Sequence, residues 1–287
     1  MWQGHAVPVP ETRALPHCTG VLTLGARPLL MGVVNVTPDS FSDGGERFAP
    51  EDAVAGARQL AAEGADILDV GAESTRPGHQ RISAEEEWSR LAPVLAAVGG
   101  DGTLPPISID TSKAEVARRA IAAGASIVND VWGFRRDPDL ASVAAEAGAA
   151  VVLMHNRDGI DASVDIIADI LAVLERSVAI ATAAGIPQDR IVIDPGIGFG
   201  KTLEQNYEAV AGLSKLKTLG FPVLLGVSRK SFIGRLFDPQ PAPGERLPGT
   251  LAANLFGALS GADILRVHDV AAHVQALAVL RAIRNAA

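Results

Sequence analysis

The chain has 287 residues and a formal net charge of −8, with 48% hydrophobic residues and only 4% aromatic ones. That charge argues against nucleic acid or an anionic membrane as a partner reached through bulk electrostatics, and a single cysteine, Cys18, excludes an intrachain disulfide and suits a reducing, cytoplasmic setting. No run approaches the ~20 apolar residues that cross a bilayer, and the start Met1-Trp2-Gln3-Gly4-His5 has neither the basic nor the apolar part of a secretory signal.

Residues 1–18 follow no periodic pattern and are expected to be a loosely ordered extension, leaving 19–287 as one domain. From there short, β-branched, nearly unbroken apolar runs recur: 29–36, 65–70, 106–110, 126–130, 149–155, 190–194, 222–228 and 262–269. Parallel strands buried on both faces have this composition.

Helical patterns fill the gaps. Val54, Ala57, Leu60 and Ala61 repeat at helical spacing after Pro50. Ser83-Ala-Glu-Glu86 and Ser112-Lys-Ala-Glu115 each read as a capping box, and Pro93 is expected to kink the first of those helices. Ile167, Ile170, Leu171, Leu174 and Val178 form an amphipathic stripe. Gly64, Gly124, Gly148 and Gly261 each stand just before a strand, where a left-handed helix cap is expected. The echo Gly64-Ala-Asp-Ile-Leu and Gly261-Ala-Asp-Ile-Leu suggests one repeated unit. Eight such units predict an α/β fold, a single-domain (β/α)8 TIM barrel, for which about 250 residues is typical. An open doubly wound sheet is the structural rival.

Barrel enzymes place their chemistry at the C-terminal strand ends. Here those ends hold Asn35, Asp69, Asp110, Asn129, Met154-His155, Asp194, Ser228-Arg229-Lys230 and Arg266-Val267-His268. One Asp after a strand is an ordinary helix cap, but polar residues at nearly every strand end are hard to obtain from capping alone. Converging carboxylates and amides match a flat heterocycle with adjacent N–H donors and carbonyl acceptors, since a carboxylate can accept from such a fork at both oxygens. The cationic end, Arg266 and His268 with Asn35 nearby, suits a diphosphate with Mg²⁺, which binds through substrate phosphates and one or two protein oxygens. Two Gly/Pro/Ser-rich loops, 35–45 and 71–78, have the composition of lids, and Phe41 in the first favours ring contact over core packing.

Asn35-Val-Thr-Pro-Asp-Ser-Phe-Ser-Asp-Gly-Gly45 and Glu73-Ser-Thr-Arg-Pro-Gly78 resemble the first- and second-loop signatures of the dihydropteroate synthase family. Ile109-Asp-Thr-Ser-Lys113, Val128-Asn-Asp130, Asp194-Pro-Gly-Ile-Gly-Phe-Gly-Lys201, Ser228-Arg-Lys-Ser231 and Arg266-Val-His-Asp269 match in the family's order, over roughly residues 20–280. The resemblance implies condensation of a pterin methyl diphosphate with p-aminobenzoate, Mg²⁺ as cofactor and a homodimer. It implies that Asp110, Asn129, Met154, Asp194 and Lys230 hold the pterin ring. Asn35, Asp69, Thr75, Arg266 and His268 would surround the diphosphate, with Asn35 as the metal ligand. Phe41, Thr75, Arg76, Pro77, Phe199 and Ser231 would enclose p-aminobenzoate, and the catalytic set would be Asp110, Asp194, Lys230, Arg266 and His268. The sequence departs from the family in Ala72, in Ile197 where an aromatic is common, and in Met154-His-Asn-Arg-Asp-Gly159, which lacks the usual Met-x-Gly-x-Pro. A methyltetrahydrofolate:corrinoid methyltransferase and a catalytically silent pterin-binding homologue are the competing readings.

Overall fold

In a computed structural model, residues 12–36, 50–73 and 81–286 are described. Strands β1 (Arg13–His17) and β2 (Gly20–Leu24) form an antiparallel hairpin. Eight parallel strands follow: β3 (Leu29–Asn35), β4 (Ile67–Gly71), β5 (Ile107–Asp110), β6 (Ala125–Asp130), β7 (Ala150–Met154), β8 (Ile191–Asp194), β9 (Leu224–Leu225) and β10 (Ile264–Val267). Their order, β8-β7-β6-β5-β4-β3-β10-β9, is brought to near closure by a parallel bridge between Ile193 and Val223. This is the (β/α)8 barrel expected from periodicity. The seventh strand is shorter than its apolar run because the chain turns back after it, Lys230 N–H donating to the Val227 carbonyl at 3.2 Å.

The hairpin corrects the expectation of a loosely ordered stretch up to residue 18. Leu15 and Leu24 are 1% exposed and join Met31, Ile67, Ile127, Val152, Val192, Leu224 and Ile264 in one apolar cluster. These lie at or near strand starts, so the hairpin plugs the N-terminal end of the barrel. Side chains alternate along a strand, and the intervening residues, such as Leu68, Val128, Leu153, Ile193 and Leu265, belong to a second cluster shared with the helices.

The outer layer contains α1 (Pro50–Ala62), α2 (Ala84–Val98), α3 (Ala114–Ala122), α4 (Leu140–Ala147), α5 (Ile166–Ala183), α6 (Leu203–Ala211), α7 (Leu213–Leu216), α8 (Ser231–Gly234), α9 (Leu247–Leu259) and α10 (Val270–Asn285). Ser83 caps α2 by accepting from Glu86 N–H, and the helix runs on through Pro93. The second expected capping box does not form. Ser112 instead donates to Asp130 at 2.5 Å, and Asp137 accepts from Ala114 N–H at 2.8 Å to serve the start of α3. A carboxylate brought across from the next loop has displaced the local hydroxyl.

Candidate functional site at the barrel mouth

The pleat that builds the floor also builds the site. Two residues beyond the inward apolar position on several strands lies a polar group: Ile67 is followed by Asp69, Ile127 by Asn129, Val192 by Asp194 and Ile264 by Arg266. Asp110 ends β5 in the same layer, its neighbours in register being Gly71 and Asn129.

Arg266 is the hub. Its Nε donates to Asp69 at 2.6 Å and its Nη2 to Asp110 at 2.8 Å. Asn129 Nδ2 reaches the same Asp69 carboxylate at 3.2 and 3.4 Å. Burial works against the guanidinium, yet Asp69 and Asp110 hold its affinity for a proton above the ordinary value. Asp110 is also raised, but for the opposite reason: burial pushes its carboxyl up, and Arg266 opposes the rise. Asp69 is fully buried behind Arg266 and anchors its guanidinium.

Asp194 ends β8 and accepts from Gly196 N–H at 2.6 Å, while burial pushes its carboxyl up against the pull of Lys230. The chain then runs through Gly196, Gly198 and Gly200, at φ +65°, +87° and +56°. Gly196 is required twice over, because a Cβ there would also lie 1.8 Å from the His155 carbonyl oxygen. Lys230 donates to the Ile197 carbonyl and holds its ammonium 4.7 Å from the centre of the Phe199 ring. Burial lowers the Lys230 ammonium to about 8, with Asp194 resisting. Met154, buried at the end of β7, pairs in register with Asp194. Ile197 packs its side chain into the core, and its carbonyl is bound by Lys230. Ala72 is likewise fully buried in the core.

Lys230 is aimed by its neighbour. Arg229 lies at φ +58°, a left-handed conformation that costs a non-glycine residue about 1–2 kcal/mol. It is held there by Thr250 Oγ1 on its N–H at 3.0 Å, Arg246 on its carbonyl at 2.9 Å, and a two-point ion pair with Asp269 at 3.0 and 2.5 Å. That lock fixes Ser228 and Lys230 on either side, and Ser228 Oγ lies 2.9 Å from His268 Nδ1. Asn35 is exposed at the end of β3, opposite Gly71. Phe41, Thr75, Arg76 and Pro77 lie outside the described residues. A cavity of about 910 Å³ opens beside Asp110, its walls including Lys113, Phe199, Lys201, Ser231 and Arg235, while Asp69, Asn129, Asp194, Lys230 and Arg266 lie outside its lining.

Sequence reasoning gave no role to Glu73, Glu87 and Lys113. Lys113 donates to Glu73 at 2.6 Å and Glu87 at 2.5 Å, tying the start of the second loop to the third. Glu87 is fully buried, and burial raises its carboxyl despite the Lys113 hydrogen bond. One signal was available: Glu87 sits on the same face of α2 as Leu91 and Val94, an acid on an apolar stripe. The atypical loop after β7 also has a defined place. Arg157 donates to the Gly200 carbonyl at 3.1 and 2.6 Å and so joins that loop to the glycine-rich one.

The family model for pterin-binding enzymes matches residues 31–268. The chain is 48% identical to a dihydropteroate synthase of Clostridium beijerinckii, over 86% of this chain and 91% of that one. It superposes on a Xanthomonas albilineans dihydropteroate synthase with 4-aminobenzoic acid at a TM-score of 0.89 and 46% identity, covering 95% and 98% of the two chains. A structure of the Xanthomonas albilineans enzyme in complex with 7,8-dihydropteroate matches at a TM-score of 0.84 and 44% identity, over 94% of this chain and 99% of that one.

Proposed function

The chain belongs to the pterin-binding enzyme family, among the dihydropteroate synthases, and on that premise we propose the chemistry at its barrel mouth: condensation of 6-hydroxymethyl-7,8-dihydropterin diphosphate with p-aminobenzoate to give 7,8-dihydropteroate and diphosphate. It is a transferase of folate biosynthesis. The observation that carries the residue assignment is the Asp69–Arg266–Asp110 bridge beside Asn129, Asp194 and Lys230.

Asp110, Asn129, Met154, Asp194 and Lys230 receive the pterin ring. A carboxylate accepts from its N–H fork, and the Lys230 ammonium donates to its carbonyl. Arg266, held by Asp69, and His268, held by Ser228, face the diphosphate together with Thr75. Phe41, Thr75, Arg76, Pro77, Phe199 and Ser231 enclose p-aminobenzoate. Bond breaking leads: as the C–O bond to diphosphate lengthens, the electron-rich pterin spreads the positive charge and the preorganised carboxylates Asp110 and Asp194 stabilise it. The neutral aromatic amine then attacks without a dedicated base.

Asn35 offers one exposed amide oxygen at the strand end, and the described residues hold no group of three or more acidic, histidine or cysteine side chains arranged for a metal. That donor set fits Mg²⁺, which needs few protein ligands when substrate phosphates supply the rest. When bound there, the ion would offset charge on the departing diphosphate.

A cytoplasmic homodimer belongs to the same proposal. Among the described residues no helix is long and apolar enough to cross a membrane. Phe256 of α9 and Val279 and Ile283 of α10, two helices that pack together, are exposed apolar residues suited to a second copy. Purified protein given pterin diphosphate, p-aminobenzoate and Mg²⁺ should release diphosphate only when all three are present. No diphosphate release with all three present, or methyl transfer from methyltetrahydrofolate in its place, would overturn the proposal.

A further inference from the structure

The loop from Asp194 to Lys201 has four of its carbonyls bound by cationic side chains. Lys230 takes Ile197 and Arg157 takes Gly200. Lys201 folds back to take the other two, Gly196 at 2.7 Å and Phe199 at 3.2 Å. Its third contact is His155 Nδ1 at 2.7 Å, and His155 Nε2 in turn lies 2.9 Å from Asp169 of α5.

Lys201 is 5% exposed and His155 fully buried. Burying an ammonium is costly, and all three of its partners are neutral, so a merely structural site would be better served by an apolar residue. Burial pushes His155 well below its ordinary value, with Lys201 adding to the fall, so the ring is neutral. A neutral ring that accepts at Nδ1 donates from Nε2, which is the tautomer the Asp169 carboxylate selects. The ammonium itself is drawn down by burial to about 7, with Asp194 opposing.

We propose that Lys201, oriented by His155 and Asp169, is a positioning residue for the condensation: its ammonium clasps the Gly196 and Phe199 carbonyls and so fixes the Asp194 carboxylate and the Phe199 ring against the two substrates. The inference rests on the dihydropteroate synthase reading. The clasp spans the loop from one substrate to the other, since Gly196 N–H holds Asp194 and Phe199 carries the ring. Three left-handed glycines leave that backbone without rigidity of its own, so the ammonium supplies the geometry.

The test compares the full-length wild-type protein with Lys201→Met, His155→Leu and His155→Asn. Wild-type diphosphate release establishes the reaction first; its failure would end the functional reading, not the role of the lysine within it. Given turnover, Lys201→Met should raise both the pterin Kd and the KM for p-aminobenzoate about tenfold, and lower kcat/KM about 100-fold, the scale of an ångström-sized misplacement. His155→Leu should shift the same constants in the same direction. His155→Asn, whose amide oxygen falls near the position of Nδ1, should recover most of the loss. A structural role would reduce only the folded fraction and leave Kd and KM unchanged. Wild-type constants in Lys201→Met therefore overturn the proposal. If that variant does not fold, equal constants in the two His155 variants do so instead.

Discussion

The two ends of the barrel are built on one pleat and treat charge in opposite ways. At the floor, Leu15 and Leu24 of the hairpin close over Met31, Ile67, Ile127 and Ile264 in an apolar cluster. Two residues further along two of those strands, Asp69 and Arg266 meet Asp110 of β5 within hydrogen-bonding distance at the mouth, two of the three nearly or wholly out of solvent. The floor gains free energy from burial, while the mouth holds ionised groups whose desolvation opposes folding. Stability and chemistry are thereby separated along the strands by two residues, roughly 7 Å.

Removing the hub tests that contrast most severely. Arg266→Ala leaves two buried carboxylates without their cation, and breaking such a pair costs about 3–5 kcal/mol. The expected outcome is a clear fall in unfolding free energy in denaturant. Turnover of pterin diphosphate should fall far more than affinity for a plain pterin, because the guanidinium faces the leaving group. Equal losses for both ligands would assign Arg266 to the ring.

At the floor, Leu15→Ala should cost about 2–5 kcal/mol by opening a cavity in a packed cluster. The KM values of the surviving enzyme should stay at wild-type levels, and a changed KM would mean that the two ends are coupled. Asp194→Asn should do the reverse. It keeps an acceptor for Gly196 N–H but replaces a charge-assisted contact to the pterin fork, a loss of about 1.5–3 kcal/mol with a further cost for any mismatched group. Calorimetry should show pterin binding weaker by about one to three orders of magnitude, with little change in melting temperature.

The smallest effect is in pH. Lys230 keeps its proton below about 8 and loses it above, so the charge assistance to the pterin carbonyl is lost as pH rises through that value. Pterin affinity should fall beyond it and level off at a loss of about tenfold, the difference between a charge-assisted and a neutral hydrogen bond. Asp110, pushed upward by burial, opposes this on the acid side because it ionises as pH rises. Lys230→Arg stays charged throughout and should abolish the alkaline fall while leaving the acid side in place. A fall that persists in that variant would belong to another group, with Lys201, lowered to about 7, the first to examine.

Much of this was legible from order alone. The eight apolar runs became the eight barrel strands, and Asp69, Asp110, Asn129, Asp194 and Arg266 fell at strand ends as expected. The failures share one cause. Ser112 lost its capping role to Asp130, and Asp137 took over the start of α3 from 23 residues along the chain. Residues 13–17 look unstructured in isolation because an edge strand containing Pro16 gains its order from packing against the barrel floor.

Unbroken apolar runs and polar strand ends are local properties of a chain, set by which residues tolerate burial on both faces, and they already specified the barrel and its active end. Partners are not local. Arg266 meets an aspartate 197 positions away and another 156 away, and Lys201 meets a histidine 46 positions earlier. Such pairs form only when closure of the barrel brings separate strand ends into one low-dielectric mouth, where each charge must find a counter-charge or a hydrogen bond. Tertiary structure alone settled which carboxylate holds the guanidinium, which lysine clasps the glycine loop, and which histidine tautomer supports it.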